Sequence, residues 1–321
     1  MNEISRVECL RRMELVATHI DPVFLNTPQF DCETLGDELG VQFALKVEVL
    51  NPIRSFKGRG AELLVAQASN LKPLICASAG NFGQAMAFAC RKRGLPLTVF
   101  VATTANRLKV ERIRRMGAEV IEWGEDFDAA KLAAREAASD RGCRFVEDGR
   151  DDETVEGAGT IAVEWLRSPS PPDVWLIPLG NGGLLNGIGR VVKAVRPSIR
   201  LIGVQAAGAP AMLDSWRTGR LVSHGRISTI ADGIGVREPI PGAVEELHRV
   251  LDDGVLVDDE QILRAMRLIH RHVGLVIEPS GAVGVAAVLA HPDRFRGQRV
   301  GTILCGGNVT DEQRRDWLAP Q

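Results

Sequence analysis

A lysine in the run NPIRSFKGRG, residues 51–60, stands directly after the apolar stretch QFALKVEVL and directly before the helix-like AELLVAQA. An amine is a useful nucleophile only when its pKa falls well below the free value of roughly 10.4, and burial or nearby cations lower it. Arg54 and Arg59 flank Lys57 as such cations. Lys57 is therefore the candidate reactive amine, and a carbonyl cofactor is the usual partner of such a lysine. The alternative for this run is a solvated basic turn. The chain contains no tyrosine. Proton transfer then falls to lysine, carboxylate, histidine, cysteine, a hydroxyl, water or a cofactor.

Three glycine-rich junctions supply further chemistry. In LIPLGNGGLLNGIGR the chain turns through Gly180, Asn181, Gly182 and Gly183 into a helix starting near Leu184. Glycines let backbone N–H groups approach an anion, and the positive end of a helix favours phosphate, so this is a candidate phosphate cup. It departs from both common nucleotide templates. Gly182 and Gly187 have the Walker spacing but are followed by Ile188, and Leu185 holds the place of the third Rossmann glycine. In CASAGNFGQA, residues Ser78, Ala79, Gly80, Asn81 and Gly83 offer N–H groups, a hydroxyl and an amide at a helix start. That set suits a carboxylate, although Ser78 and Asn81 also read as ordinary helix caps. In VGTILCGGNVT, Cys305 ends an apolar strand and two glycines follow. By itself Cys305 reads as a small buried hydrophobe.

The elements that must position these loops alternate. Apolar β-rich runs at 43–50, 74–77, 97–102, 119–123, 174–179, 200–205 and 300–304 are separated by helical patterns. The clearest of those patterns lie at 83–93, 106–116, 126–140, 184–195, 258–272 and 280–289. Such alternation predicts an α/β fold with parallel sheets, and all three junctions then lie at carboxyl ends of strands, where ligands bind. With 321 residues, 45% hydrophobic and 25% charged, the chain has the composition of a globular protein with one large domain or two smaller ones. A net charge of −2 gives no electrostatic reason to expect nucleic acid. No apolar run approaches the roughly 18 residues needed to cross a bilayer, and the charged start lacks the apolar core of a secretion signal, so a cytoplasmic protein is expected. The six cysteines form no CxxC pair, which suggests reduced thiols rather than disulfides or zinc ligands.

In order along the chain, SFKGRGA, SAGNFGQA, GNGGL and CGGN resemble the lysine, substrate, phosphate and pyridine-nitrogen segments of fold type II pyridoxal-phosphate enzymes. Serine/threonine dehydratases are the most similar group of that tryptophan synthase beta-like superfamily. Weaker similarities at TP (27–28), RLKVERIRRMGAEV (107–120), EGAGTIAVE (156–164), ADGIGVREP (231–239) and EPSGA (278–282) extend the resemblance over essentially the whole chain. It implies two parallel-sheet, three-layer domains with pyridoxal 5′-phosphate in the cleft between them. Residues 1–72 and 151–321 would form the large domain, and 73–150 a small inserted domain that closes on substrate. The resemblance also implies a homodimer.

By the same resemblance, Lys57 carries the cofactor and acts as general base, with Phe56 beside the ring. Asn81 meets the ring hydroxyl. Gly180, Asn181, Gly182, Gly183 and Leu184 hold the phosphate, and Cys305 faces the pyridine nitrogen. Ser78, Ala79, Gly80 and Asn81 receive the substrate, with Ser78 counted among the catalytic residues. The implied reaction removes water from a 3-hydroxy amino acid such as threonine, serine or a 3-substituted serine, releasing a 2-oxo acid and ammonia. The leaving hydroxyl would be protonated by the cofactor phosphate or by Lys57. A β-replacement synthase, an amino-acid racemase and a binding protein of the same fold are the competing expectations.

Several positions depart from the group's pattern. Racemases place a serine where this chain has Ala79, and alanine donates no proton. The metal-binding glutamate of some members falls at Gln205, a weaker ligand for a hard cation, so no metal is expected. Phe82 stands where histidine is common, and Ile53 and Arg54 replace small residues, which leaves room for a different 3-substituent. His270 and His272 sit on different sides of a predicted helix and make an improbable metal pair. The acidic run at 147–153 reads as a solvated crossover between domains. Glu278 has two readings, orienting the substrate amine or cofactor, or capping the helix that begins at Ser280. The chain ends about a dozen residues after CGGN. A C-terminal regulatory domain is therefore not expected.

Overall fold

The computed structural model describes residues 3–68 and 72–319. Among these residues, ten strands form two sheets. They are β1 Gln29–Asp31, β2 Gln42–Val47, β3 Leu74–Ala77, β4 Leu97–Val101, β5 Glu119–Glu122, β6 Arg144–Val146, β7 Val174–Pro178, β8 Arg200–Ala206, β9 Asp253–Val257 and β10 Arg299–Leu304. The larger sheet has the order β1-β2-β10-β7-β8-β9, parallel except for β1, which lies antiparallel on β2. The smaller sheet, β5-β4-β3-β6, is parallel throughout.

Alternation along each strand decides what covers it, because successive side chains leave opposite faces. Along β7, Val174 and Leu176 join a core with the helices Asp259–Val273 and Pro279–Ala290. Trp175 and Ile177 join a second core with Asp152–Leu166 and Gly183–Val195. Both faces are thus apolar, as a parallel sheet wrapped by helices requires. In the smaller sheet, Ile75 packs on Ala130, Ala134 and Ala138, a row of small residues at one-turn spacing on the helix Phe127–Asp140. Leu74 and Cys76 face the other way, toward the core that holds Met86 and Cys90 of the helix Asn81–Arg93.

Every strand expected from the sequence is present, within about three residues of its expected ends. Three short strands, β1, β6 and β9, lay outside those expectations. All three are sheet edges. Helices Glu3–Thr18, Ala211–Thr218 and Pro241–Val250 were likewise not anticipated. The helix read from AELLVAQA begins earlier, at Lys57, and runs to Gln67. That shift puts Lys57 in a helical first turn, its backbone N–H donating to Ser55 Oγ at 3.2 Å.

Candidate active site

Carboxyl ends of strands from both sheets meet around a cleft of about 690 Å³. This is an ordinary size for a small-molecule site. The segment after β2 delivers Phe56 and Lys57, and the loop after β3 delivers Ser78, Ala79, Gly80 and Asn81. The turn after β7 supplies Gly180, Asn181, Gly182, Gly183 and Leu184, and Cys305 directly follows β10. Glu278 comes from the start of the helix Pro279–Ala290. All the residues singled out for the site therefore line one cleft.

The glycine turn is shaped for an anion. Gly182 has φ +94° immediately before the helix Gly183–Val195, a backbone conformation that glycine adopts without strain. The N–H groups at the start of that helix have no intrahelical acceptors, and the helix dipole adds positive potential there. A phosphate fits this cup.

Lys57 Nζ donates to Asp148 Oδ2 at 2.6 Å and stands 4.4 Å from the centre of the Phe56 ring. The structure corrects the expected cationic surroundings of Lys57. Arg59 is 0% exposed and points into the core, where Glu48 and Glu164 bind it. Arg54 turns its guanidinium to the Val276 carbonyl. The charge beside Lys57 is an anion. The acidic crossover is corrected with it, since Glu147 is buried and ion-paired to Lys131, Arg135 and Arg150, while Asp148 enters the cleft.

Glu278 is buried and links the two sheets. Asn81 Nδ2 donates to its Oε1 at 2.7 Å, and the Asn308 backbone N–H donates to its Oε2 at 2.9 Å. Asn308 Nδ2 donates to Asn81 Oδ1 and to the Ile53 carbonyl, both at 2.8 Å. Arg112 Nη1 donates to Asn308 Oδ1 at 3.1 Å. Asn81 is thus oriented at both ends, with one amide hydrogen left for a ligand. Burial, with the Asp232 carboxylate as a second cause, pushes Glu278 up to about 7. Of its two readings, the helix cap is corrected: Glu278 occupies the N-cap position but makes no side-chain capping bond.

Burial also pushes the Cys305 thiol up, with Glu278 adding to the shift, so the group at the end of β10 is a neutral thiol. Beside it, the hydroxyl of Ser280 is buried on the cleft wall without a hydrogen-bond partner among the described residues. Ser280 was read only as a helix start, and Asn308 passed unremarked inside CGGN. Their signal was present, since polar residues in a small-residue loop at a strand end need partners. The unpaired Ser280 hydroxyl, the free Asn81 hydrogen, the glycine cup and the Lys57 amine fit a flat, polar, phosphorylated aldehyde.

Of the remaining candidates, Gln205 is buried with its Oε1 accepting from the Leu213 N–H at 3.0 Å. His272 pairs with Glu38 at 2.7 Å. Ala79 and Phe82 both line the cleft.

Residues 20–306 match the family described as pyridoxal-phosphate dependent enzyme. The chain belongs to that family, and its cofactor is pyridoxal phosphate. It is 35% identical to the L-threonine ammonia-lyase of Thermotoga maritima over 278 residues, 86% of this chain and 69% of that one. It is 33% identical to the phenylserine dehydratase of Ralstonia pickettii over 287 residues, 88% of each chain. The processed form of threonine deaminase isoform 2 from Solanum lycopersicum superposes with a TM-score of 0.89 at 28% identity, covering 97% of this chain and 87% of that one. The fold is accordingly fold type II, in the neighbourhood of the serine/threonine dehydratases.

Proposed function

We infer that the chain is a pyridoxal-phosphate-dependent lyase that removes water from a 3-hydroxy amino acid and yields a 2-oxo acid and ammonia. The observation that carries this reading is the convergence of a lysine amine, a glycine anion cup and a small-residue loop on one cleft, in a chain similar to a threonine ammonia-lyase and a phenylserine dehydratase. When bound, the cofactor supplies the electron sink that acidifies the substrate Cα–H. Lys57 holds it covalently, then frees its amine and takes the Cα proton as general base. The N–H groups of Gly180 to Leu184 hold the phosphate, and Phe56 flanks the ring. Asn81, oriented by Glu278 and Asn308, donates to the ring oxygen.

Ser78, Ala79, Gly80 and Asn81 receive the substrate carboxylate at the start of the helix Asn81–Arg93. Ser78 Oγ accepts from the Gly80 N–H at 3.2 Å, which orders that loop. Cys305 and Ser280, both neutral, would lie on the ring-nitrogen side of the bound cofactor, and neutral partners suit elimination better than a long-lived carbanion. Ala79 brings no second proton donor, so the reaction runs from the Lys57 side.

Residues 1–72 and 151–321 act as a large domain and 73–150 as a small one that closes on the carboxylate. Support for this division is that the four-stranded sheet spans only Leu74 to Val146. A cytoplasmic homodimer completes the proposal. Six free cysteines suit a reducing compartment, and sedimentation tests the dimer.

The test is a screen of threonine, serine, 3-hydroxyaspartate and phenylserine for oxo-acid and ammonia release with no thiol added. Release from at least one of the four by the wild-type protein, and from none by Lys57→Ala, is expected. A protein that makes oxo acid only sparingly but forms product when a thiol is supplied would instead be a β-replacement synthase.

A further inference from the structure

Asp148 is the nearest anion to the reactive amine. We propose that Asp148 is a further catalytic residue of this cleft, a proton carrier that takes the Cα proton from Lys57 and delivers it to the departing 3-hydroxyl. The inference rests on the dehydratase reading and adds the group that completes it.

Its position suits the task. Asp148 Oδ2 lies 2.6 Å from Lys57 Nζ, a distance for direct proton transfer. Its other oxygen, Oδ1, faces the start of the phosphate-cup helix, 3.7 Å from where a Cβ on Gly183 would stand. The carboxylate therefore spans the gap between the base and the anion cup. Among the described residues Lys57 is its sole side-chain partner. A carboxylate serving structure would be tied down more fully, as Glu48 and Glu164 are in the core.

The backbone aims Asp148 into the cleft. Gly149 has φ +76°, and a Cβ there would come 2.9 Å from the Asn181 carbonyl oxygen, so the crossover packs tightly against the phosphate turn. The Gly149 N–H donates to Thr154 Oγ1 at 3.0 Å, and the Glu147 N–H donates to Asp151 Oδ2 at 2.7 Å. Three of the neighbouring charges are committed elsewhere. Glu147 is held by Lys131, Arg135 and Arg150, Lys109 by Asp232, and Glu278 by Asn81 and Asn308.

The step balances without any outside reagent. Lys57 as free amine takes the Cα proton, and the electron pair of that bond becomes the Cα–Cβ double bond. The Cβ–O bond breaks with its pair on oxygen. Asp148, having received the proton from the Lys57 ammonium, gives it to that oxygen, and water leaves. Neutral amine and carboxylate are both restored.

The experiment compares the wild-type holoenzyme with Asp148→Asn on two substrates: the 3-hydroxy amino acid that wild type converts fastest, and 3-chloroalanine, whose chloride departs without a proton. The variant should lose about 100-fold or more in kcat on the hydroxy substrate, the scale of general-acid catalysis. On 3-chloroalanine it should stay within about threefold of wild type. Asp148→Glu should recover part of the lost rate, and its hydroxy-to-chloro rate ratio serves in place of the asparagine variant if that one does not fold.

An independent readout is the visible absorption of the bound cofactor. Asp148 Oδ2 lies 2.6 Å from the Lys57 nitrogen that carries the chromophore, so the spectrum of Asp148→Asn should differ from that of wild type at the same pH. Equal losses on both substrates, an undiminished hydroxy rate or an unchanged spectrum each overturn the proposal. Wild-type protein inactive on both substrates instead overturns the dehydratase reading itself.

Discussion

Lys57 and Arg59 are two positions apart in one helix, yet they belong to opposite kinds of polar surroundings. Arg59 lies in the core with its donors used: Nε and Nη2 reach Glu48 at 2.9 and 2.8 Å, and Nη1 and Nη2 reach Glu164 at 2.6 and 3.0 Å. Lys46 adds a bond to Glu164 at 2.7 Å. Two cations thus face two carboxylates. Burial alone would raise the carboxyl of Glu164, but the bonds from Arg59 and then Lys46 hold it below its ordinary value.

The cleft is the reverse. Among the described residues, Ser280 has an unpaired hydroxyl, Asn81 a spare amide hydrogen, and Lys57 a single carboxylate partner. Saturated polarity fixes the helix in place, and unsaturated polarity at its first turn is left for chemistry.

Breaking the cleft side at its centre should have the largest effect. Lys57→Ala should lower oxo-acid release by about 10⁴-fold, near 5.5 kcal/mol of transition-state stabilisation, while its urea midpoint without cofactor stays near that of wild type. A variant retaining a tenth of the activity would contradict the assignment. On the core side, Glu164→Ala leaves Arg59 and Lys46 short of a counter-charge and should cost about 3–5 kcal/mol in urea unfolding. Were that loss under about 1 kcal/mol, the cluster would not be the anchor described.

Glu278 sharpens the contrast because it is buried but only partly neutralised. Burial holds its carboxyl at about 7 against an ordinary 4.5, so the folded state binds its proton more tightly than the unfolded one. That contribution is fully present below about pH 4.5 and is lost as pH rises through about 7. Without cofactor, wild type should lose about 2–3 kcal/mol more between pH 5 and pH 8 than Glu278→Gln does. The same pH slope in both proteins would remove Glu278 as its source. Gly182→Ala should have the smallest effect, about 1–2 kcal/mol in stability with weaker cofactor binding, because φ +94° strains an alanine and its Cβ would come 2.9 Å from Asn186 Nδ2. Fluorescence titration with the cofactor checks this, and unchanged affinity would count against the cup.

The same contrast marks how far the sequence could be read. Strand-end loops were legible because apolar runs ending in glycine, serine and asparagine announce both the strand and the loop after it. Short edge strands such as QFD and RFV carry no such run, and only their pairing with β2 and β3 makes them strands. Arg59 read as a cation for Lys57 because its carboxylate partners lie 11 and 105 residues away in sequence. Asp148 read as solvent-facing because an acidic run looks the same whether or not a turn at Gly149 points one member inward. Ser280 and Asn308 gained meaning only when helix, strand end and Glu278 were brought together. Local pattern shows where a loop is, and long-range pairing decides what its side chains do.

The holoenzyme is reduced with borohydride, digested and analysed by mass spectrometry for the peptide that retains the cofactor. A phosphopyridoxyl group on Lys57 alone is expected. The same group on another lysine, or no modified peptide from protein that shows the cofactor's visible absorption, would contradict it.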